Sequence, residues 1–117
     1  MPAAGDIALI RFPHADLQPG KLRPVLLLAQ PPGRHGDWLV CMVSSRLGQE
    51  VPGFDDCIAA EDGDFGSTGL HLPSLVRLGR LAVVEDSLFA GALGRVGAER
   101  LQRLLARAAA WLDAARK

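Results

Sequence analysis

The sequence predicts a mainly β domain in which a small antiparallel barrel or sheet of about five strands packs against a C-terminal helix. The 117 residues, 49% of them apolar, suit one domain over residues 1–117 with a single core. Short apolar runs bounded by Pro and Gly fill most of the chain, and one long helical pattern ends it. Strands and helices do not alternate in the way that builds a parallel sheet, so antiparallel pairing is expected.

The first predicted strands lie in the N-terminal half. Apolar side chains nearly alternate with small or polar ones over residues 7–12, which is typical of a half-buried strand, and Pro13 ends this pattern. Residues 13–22 are rich in turn formers and predict a surface loop. Continuous apolar runs over 25–29 and 38–43 then indicate central strands that are covered on both faces.

The C-terminal half is predicted to hold shorter strands and the helix. Residues 56–60 predict a strand, residues 72–84 predict one or two more, and residues 85–89 predict a helical turn. Residues 97–115 carry an apolar stripe at helical spacing, formed by Leu101, Leu104, Leu105, Ala108 and Leu112. Trp111 borders this stripe and is expected to pack rather than to stack on bases.

Charge is divided unevenly along the chain. Lys plus Arg equals Asp plus Glu, 13 of each, which excludes a uniformly basic surface built for nucleic acid. Residues 47–76 carry six acids and no Lys or Arg, whereas residues 77–117 carry eight bases and four acids. We expect the acids from Glu50 to Asp64 to keep the protein soluble, rather than to cap a groove or bind a cation. A solvated helix face is expected for three arginines, Arg100, Arg103 and Arg107.

Several classes of protein are not indicated. The longest apolar runs are shorter than the roughly 20 residues of a membrane-spanning helix, so a soluble protein is expected. The start lacks a basic segment followed by an apolar run, which favours a cytoplasmic location. Cys41 and Cys57 lack the spacing of a zinc site or disulfide framework and are interpreted as structural thiols. Phosphate-loop, dinucleotide-binding, zinc-protease and serine-hydrolase motifs are absent, so no metal ion or cofactor is predicted.

The three histidines are too scattered in the sequence to suggest a metal site. His35 and His71 are expected to be ordinary exposed histidines. His14 stands apart because Lys21 and Arg23 lie in or directly after the same predicted loop. Imidazole is the side chain best suited to proton transfer at neutral pH, so His14 is the first candidate for a general base and Asp16 the second.

Four stretches, taken in order, resemble one known family. They are residues 5–10, Gly-Asp followed by apolar residues; residues 20–27, Gly-Lys-Leu-Arg-Pro-Val-Leu-Leu; residues 40–45, an apolar run that ends in Ser-Ser; and residues 69–85, followed by Leu-Gly-Arg-Val at 93–96. Together they cover nearly the whole chain. In residue type, order and spacing the sequence is similar to the MazF/PemK toxins of bacterial type II toxin–antitoxin systems.

The resemblance implies a fold, an activity and partners. Members of the family are SH3-like barrels that form homodimers, and most cleave single-stranded RNA such as mRNA without a metal ion. Their products carry a 2′,3′-cyclic phosphate and a 5′-hydroxyl, and cleavage inhibits growth. A cognate antitoxin protein neutralises them by occupying the RNA groove with its tail. For this chain the resemblance therefore implies a homodimeric endoribonuclease toxin.

The resemblance also assigns roles to individual residues. The catalytic arginine falls on Arg23, the catalytic hydroxyl on Ser44, and a further arginine used by some members on Arg77. The expected substrate-binding residues are Lys21, Arg77, Ser45, Asp16 and Gln18. Gly79 stands where some members carry an acid.

The chemistry of these side chains agrees with such a reaction. When a 2′-hydroxyl attacks phosphorus, negative charge builds on the phosphoryl oxygens, and a preorganised guanidinium such as that of Arg23 stabilises it. Because Arg stays protonated in proteins, Arg23 is expected to act as an electrostatic clamp, or as an acid only in the transition state, and not as a resting-state base. Pro24 biases the Arg23 backbone towards an extended conformation. Ser44, at the end of a predicted strand, can present a hydroxyl to the same phosphate.

A second hypothesis is that the protein is not an enzyme. The chain could be a binding protein on the same barrel, either a gyrase-poisoning toxin of the CcdB type or a family member without activity. Toxins of the CcdB type resemble one another in a C-terminal Trp-Gly-Ile, whereas this chain ends in Ala-Ala-Arg-Lys. An inactive member would retain the barrel but cleave no RNA.

Overall fold

The computed structural model describes residues 2–11, 21–33 and 36–116 and shows a mainly β chain with a C-terminal helix, which confirms the predicted fold class. Its strands are β1 (Asp6–Arg11), β2 (Leu22–Ala29), β3 (Asp37–Ser44), β4 (Asp56–Ile58), β5 (Ser74–Glu85) and β6 (Phe89–Arg95). Its helices are α1 (Phe65–Thr68) and α2 (Ala98–Ala114), and short 3-10 turns span Leu47–Gln49 and Asp86–Leu88. All strands pair antiparallel in one sheet of order β4-β5-β3-β2-β1-β6.

The sheet has six strands rather than the expected five, because the sequence pattern did not predict β6. Its sequence, Phe-Ala-Gly-Ala-Leu-Gly-Arg, has two glycines and two alanines, and all seven residues are exposed or half-buried. A strand at the edge of a sheet needs no continuous apolar pattern, so neither periodicity nor propensity marks it. The segment 72–84, expected to form one or two short strands, forms the single 12-residue strand β5.

The core is divided between the two faces of the sheet. Alternate residues of β2 point to opposite sides: Leu26 and Leu28 join one apolar cluster, and Val25 and Leu27 join the other. All four are at most 2% exposed. The expectation that this strand is covered on both faces is therefore confirmed. Leu104 of α2 is fully buried and belongs to the same cluster as Leu26 and Leu28.

A bulge bends β5 beside the end of β3. Cys41 pairs with Leu81, but the next residue, Met42, pairs with Arg77, so residues 78–80 have no partner across this ladder. The freed backbone N–H of Leu78 donates instead to Asp55 Oδ1 at 3.1 Å. The bulge shifts the register, so Arg77 lies opposite Met42.

Two glycines allow α1 to approach β6 at backbone distance. Gly69 ends α1 with a φ of +73°, and a Cβ there would overlap the backbone oxygen of Leu93. A Cβ on Gly94 would in turn overlap the backbone oxygen of Ser67. Ser67 Oγ also donates to the Arg95 carbonyl at 2.9 Å, so α1 is bonded directly to the edge strand.

The expectation of a solvated arginine face on α2 was wrong for Arg100, which is buried, whereas Arg103 stays exposed although it is paired. Arg100 is only 7% exposed, and its guanidinium donates to Asp56 at 2.5 Å, to Asp62 at 2.8 Å and to Asp64 at 2.8 and 2.9 Å. Two further helix arginines bind Asp56 as well: Arg103 Nη2 lies 3.0 Å and Arg107 Nη1 3.3 Å from its carboxylate. We call these three aspartates and three arginines the Asp–Arg network.

The acidic segment was therefore misinterpreted as well. Asp56, Asp62 and Asp64 hold α2 in place, and Asp55 supports the β5 bulge, so these four carboxylates are structural rather than merely solubilising. The sequence separation of about 40 residues between the acids and Arg100 hides the pairing, because only packing of α2 brings the two segments together.

Asp64 also caps α2 from a distance. The N-cap residue, Gly97, has no side chain to bond the free N–H groups of the first turn. Asp64 Oδ2 instead accepts the Gly97 N–H at 2.9 Å. Hydrogen bonds from Arg100, supported by that from Gly97, lower the pKa of Asp64 to about 2, although its partial burial acts in the opposite direction.

Other parts of α2 match the sequence more closely. Trp111 packs edge-on against Phe54 with ring centroids 5.1 Å apart, which confirms packing as its role. Of the apolar stripe, Leu104 is buried, whereas Leu105 and Leu112 stay exposed. No helix in the described part of the chain is long and apolar enough to cross a membrane.

The free energy of unfolding is predicted to fall at acidic pH, because Asp64 becomes protonated. Because folding depresses its pKa from 3.8 to about 2, Asp64 contributes about 2 kcal/mol that is complete above about pH 5 and is lost as the pH falls towards 2. Urea unfolding measured from pH 7 to pH 2 should show this loss in the wild-type protein. Asp64→Asn should be less stable at pH 7 and should show a shallower pH dependence.

A matched pair of arginine variants provides the control. Arg100→Met leaves buried carboxylates without their partner and should lower the free energy of unfolding by about 3–5 kcal/mol at pH 7. Arg116→Met breaks only the exposed pair with Asp113 and should change it by less than about 1 kcal/mol. Equal stability of the two variants would contradict a structural role for the Asp–Arg network.

Candidate functional site

The candidate site forms where β2, β3 and β5 lie side by side. Val25 of β2 pairs with Met42 of β3, and the same register extended by two residues places Arg23 opposite Ser44. Across the other edge of β3, Met42 pairs with Arg77. Residues directly opposite in an antiparallel pair share a face, as do residues two apart along a strand. Arg23, Ser44 and Arg77 therefore occupy one face of the sheet, with Ser44 on the central strand.

Two adjoining clefts open on this face. The first, about 270 Å³, is lined by Arg23, Ser44, Ser45, Arg46 and His71 among others. The second, about 210 Å³, is bordered by Arg77 and Gln49 and shares Arg23, Ser44 and Arg46 with the first. The shared residues make the two clefts one continuous surface, which we call the arginine cleft.

The charge of the arginine cleft is positive. Arg23, Arg46 and Arg77 line it, and no carboxylate of the described residues does. This local excess contrasts with the formal net charge of zero for the whole chain. Guanidinium groups bind phosphate and carboxylate oxygens through paired N–H donors, so the cleft is suited to an oxyanion.

The backbone after β3 positions the Ser44 hydroxyl. Ser44 Oγ accepts a hydrogen bond from the Arg46 N–H at 3.1 Å, across a tight turn at the strand end. The hydroxyl is thus an acceptor towards the chain, and its O–H is the group that can donate to a bound oxyanion. The same turn carries Arg46 back to the wall of the cleft.

The side-chain amide of Gln49 orients Arg77. Arg77 Nη1 donates to Gln49 Oε1 at 3.0 Å, and Gln49 belongs to the 3-10 turn that follows β3. Arg77 Nε is buried and has no hydrogen-bond partner among the described residues. A buried donor without a partner costs free energy.

The predicted site residues divide into three groups. The structure brings Arg23, Ser44, Ser45 and Arg77 together in the arginine cleft. Lys21 is exposed just before β2 and lines neither part of the cleft. The remaining three, His14, Asp16 and Gln18, lie outside the described residues.

Among the cleft residues that the sequence analysis missed are Arg46 and His71. Arg46 lies only two positions after Ser44 in the sequence, and this short separation could have indicated that it belongs to the same site. His71 gave no such signal, because it joins the cleft only when β5 pairs with β3.

The described cysteines and acidic clusters offer no second reactive centre. Cys41 is fully buried, and burial together with the nearby Asp55 charge raises its pKa to about 12. Partial burial also raises the pKa of Cys57, assisted by the negative charge of Glu50. Within the described ranges, no group of three or more His, Cys, Asp or Glu side chains is placed to hold a metal ion.

Comparison with known families gives one match over most of the chain. Residues 3–112 match the family described as the PemK-like, MazF-like toxin of type II toxin–antitoxin systems. No curated protein matches the sequence.

Solved structures of the same fold are similar over nearly the full chain. An endoribonuclease in complex with its cognate antitoxin from a mycobacterial species has a TM-score of 0.71 and 13% identity, over 97% of this chain and 96% of that one. MazF of Deinococcus radiodurans has a TM-score of 0.68 and 25% identity, with 96% of each chain covered. The Mycobacterium tuberculosis toxin MazF-mt6 has a TM-score of 0.64 and 18% identity, over 92% of this chain and 96% of that one.

Proposed function

Because the chain belongs to the PemK-like, MazF-like toxin family of type II toxin–antitoxin systems, we propose that it is an endoribonuclease that cleaves single-stranded RNA, including mRNA, and so inhibits growth. The observation that carries this proposal is the arginine cleft, which is lined by three arginines, Arg23, Arg46 and Arg77, together with Ser44. A phosphodiester is an oxyanion whose charge is shared between two oxygens, and such a site is complementary to it. The cytoplasm, where mRNA is found, is the proposed location.

The proposed reaction is an intramolecular phosphoryl transfer. The 2′-oxygen attacks the adjacent phosphorus, the bond from phosphorus to the 5′-oxygen breaks, and the products carry a 2′,3′-cyclic phosphate and a 5′-hydroxyl. Negative charge grows on the non-bridging oxygens in the transition state, where Arg23 and the Ser44 hydroxyl stabilise it. Arg77 and Arg46 bind the RNA strand beside the scissile phosphate, and Ser45 contributes a further hydroxyl.

The role of the loop residues follows from the same proposal. Lys21 is exposed beside β2 and can contact the RNA backbone next to the cleft. Asp16 and Gln18 remain proposed substrate contacts, and His14 is one candidate for the base.

RNA cleavage in excess EDTA tests this function. The wild-type protein should cut a long single-stranded RNA at discrete sites and leave cyclic phosphate and 5′-hydroxyl ends. Arg23→Gln should lower the single-turnover rate by about 10²–10³, because it removes a charge that stabilises the transition state. Ser44→Ala should also slow cleavage.

The control is Arg116→Gln, which removes the same charge from an exposed position at the end of α2 and should keep the wild-type rate. Intact RNA in the presence of folded wild-type protein would favour the non-catalytic alternative. Equal rates for Arg23→Gln and Arg116→Gln would remove the arginine cleft from the mechanism.

An antitoxin partner and a homodimeric state are further parts of the proposal. A protein segment that competes with RNA must present carboxylates to the arginine cleft, so the antitoxin should bind mainly through charge. The Arg23→Ala, Arg77→Ala double variant should therefore bind a cognate antitoxin more weakly at low salt, as measured by calorimetry. Unchanged affinity would contradict this, and sedimentation of the free protein as a monomer would contradict the dimer.

A further inference from the structure

His71 lies in the wall of the arginine cleft that also contains Arg23 and Ser44. It belongs to the short segment between α1 and β5, and its side chain is exposed. The chain continues from His71 into β5, where Leu75 pairs with Ser44. His71 thus lies four positions before the residue that pairs with Ser44, and both His71 and Ser44 line the same cleft.

The segment that carries His71 is held by specific contacts at both ends. On its N-terminal side, Gly69 lies against the Leu93 backbone, and the Leu70 N–H donates to the Oγ1 of the buried Thr68 at 3.2 Å. On its C-terminal side, Ser74 Oγ donates to the Leu72 carbonyl at 2.8 Å. A side chain on such a segment keeps its position better than one on an unsupported loop, as a catalytic group requires.

The groups that face His71 in its part of the cleft are cationic or neutral. The charged groups are Arg23 from β2 and Arg46 from the turn after β3, and the polar neutral ones are Ser44, Ser45 and Ser74. No carboxylate of the described residues lines this part of the cleft. Arginine cannot give up its proton in a protein, and a serine hydroxyl is a poor proton acceptor. Among the described side chains of the cleft, the imidazole of His71 is therefore the one suited to accept a proton.

We propose that His71 is the general base of the cleavage reaction. Its neutral imidazole removes the proton from the 2′-hydroxyl while the 2′-oxygen bonds to phosphorus. The bond from phosphorus to the 5′-oxygen breaks, and the leaving oxygen takes a proton from solvent water. The imidazolium then returns its proton to solvent. This step rests on the proposed ribonuclease function and adds to it the residue that activates the nucleophile.

The pH dependence of three single variants tests the assignment. The chain has three histidines, so His71→Gln, His14→Gln and His35→Gln together identify which of them titrates in the reaction. Single-turnover cleavage of one RNA is measured from pH 5 to pH 9 in EDTA. The wild-type rate should fall on the acidic side of this range, where imidazole becomes protonated.

His71→Gln should lower the rate at pH 7 by about 10²–10⁴ and abolish this acidic fall. Its RNA affinity should stay close to that of the wild-type protein, because no charge that contacts phosphate is lost. Free imidazole should restore part of the rate of His71→Ala, which a merely structural role would not allow. His35→Gln should keep the wild-type profile.

Two results would overturn the assignment. One is an acidic fall that persists in His71→Gln. The other is an acidic fall that disappears only in His14→Gln, which would make that residue the base. In both cases the wild-type protein still cleaves RNA, so the proposed function stands. If the folded wild-type protein leaves RNA intact, both the proposed ribonuclease function and the assignment of His71 as its base are contradicted.

Discussion

The buried guanidinium of Arg100 fastens α2 to the segment that runs from β4 to α1. It donates hydrogen bonds to Asp56 of β4 and to Asp62 and Asp64 of the segment before α1. These bonds attach all three aspartates to α2. A buried charge is costly unless its donors are all used, and every nitrogen of this guanidinium donates to a carboxylate. Asp64 in turn caps α2 through Gly97, so one cluster sets both the position and the start of the helix.

The same interaction shapes the electrostatics of the site on the sheet. The chain has equal numbers of acidic and basic residues, but the four aspartates between 55 and 64 bond to α2 or to the β5 bulge. None of them lines the arginine cleft, where Arg23, Arg46 and Arg77 therefore face a ligand without carboxylates among the described residues. The structural ion pairs thus leave a locally positive surface on a protein of zero net charge, and such a surface is what an RNA backbone requires.

The parts of the structure that depend on local patterns were predictable, and the parts that depend on long-range packing were not. The apolar runs of β2 and β3 and the periodicity of α2 identified those elements, because each pattern reflects burial of its own residues. The Gly-rich β6 has no such pattern. In the site, the resemblance singled out Arg23, Ser44 and Arg77, which strand pairing brings to one face. His71 depends on the path of the chain between α1 and β5, and no local pattern encodes that path.

The central claim is that the arginine cleft binds the phosphates of a single strand. Titration of ¹⁵N-labelled protein with a single-stranded oligodeoxynucleotide tests it directly, because DNA presents the same phosphates but lacks the attacking 2′-hydroxyl. The side-chain Nε–Hε signals of Arg23 and Arg46 and the backbone amide of Ser44 should shift on binding, while the Arg100 signal stays in place. Shifts confined to α2 or to other surfaces, or no shifts at low salt, would contradict this account.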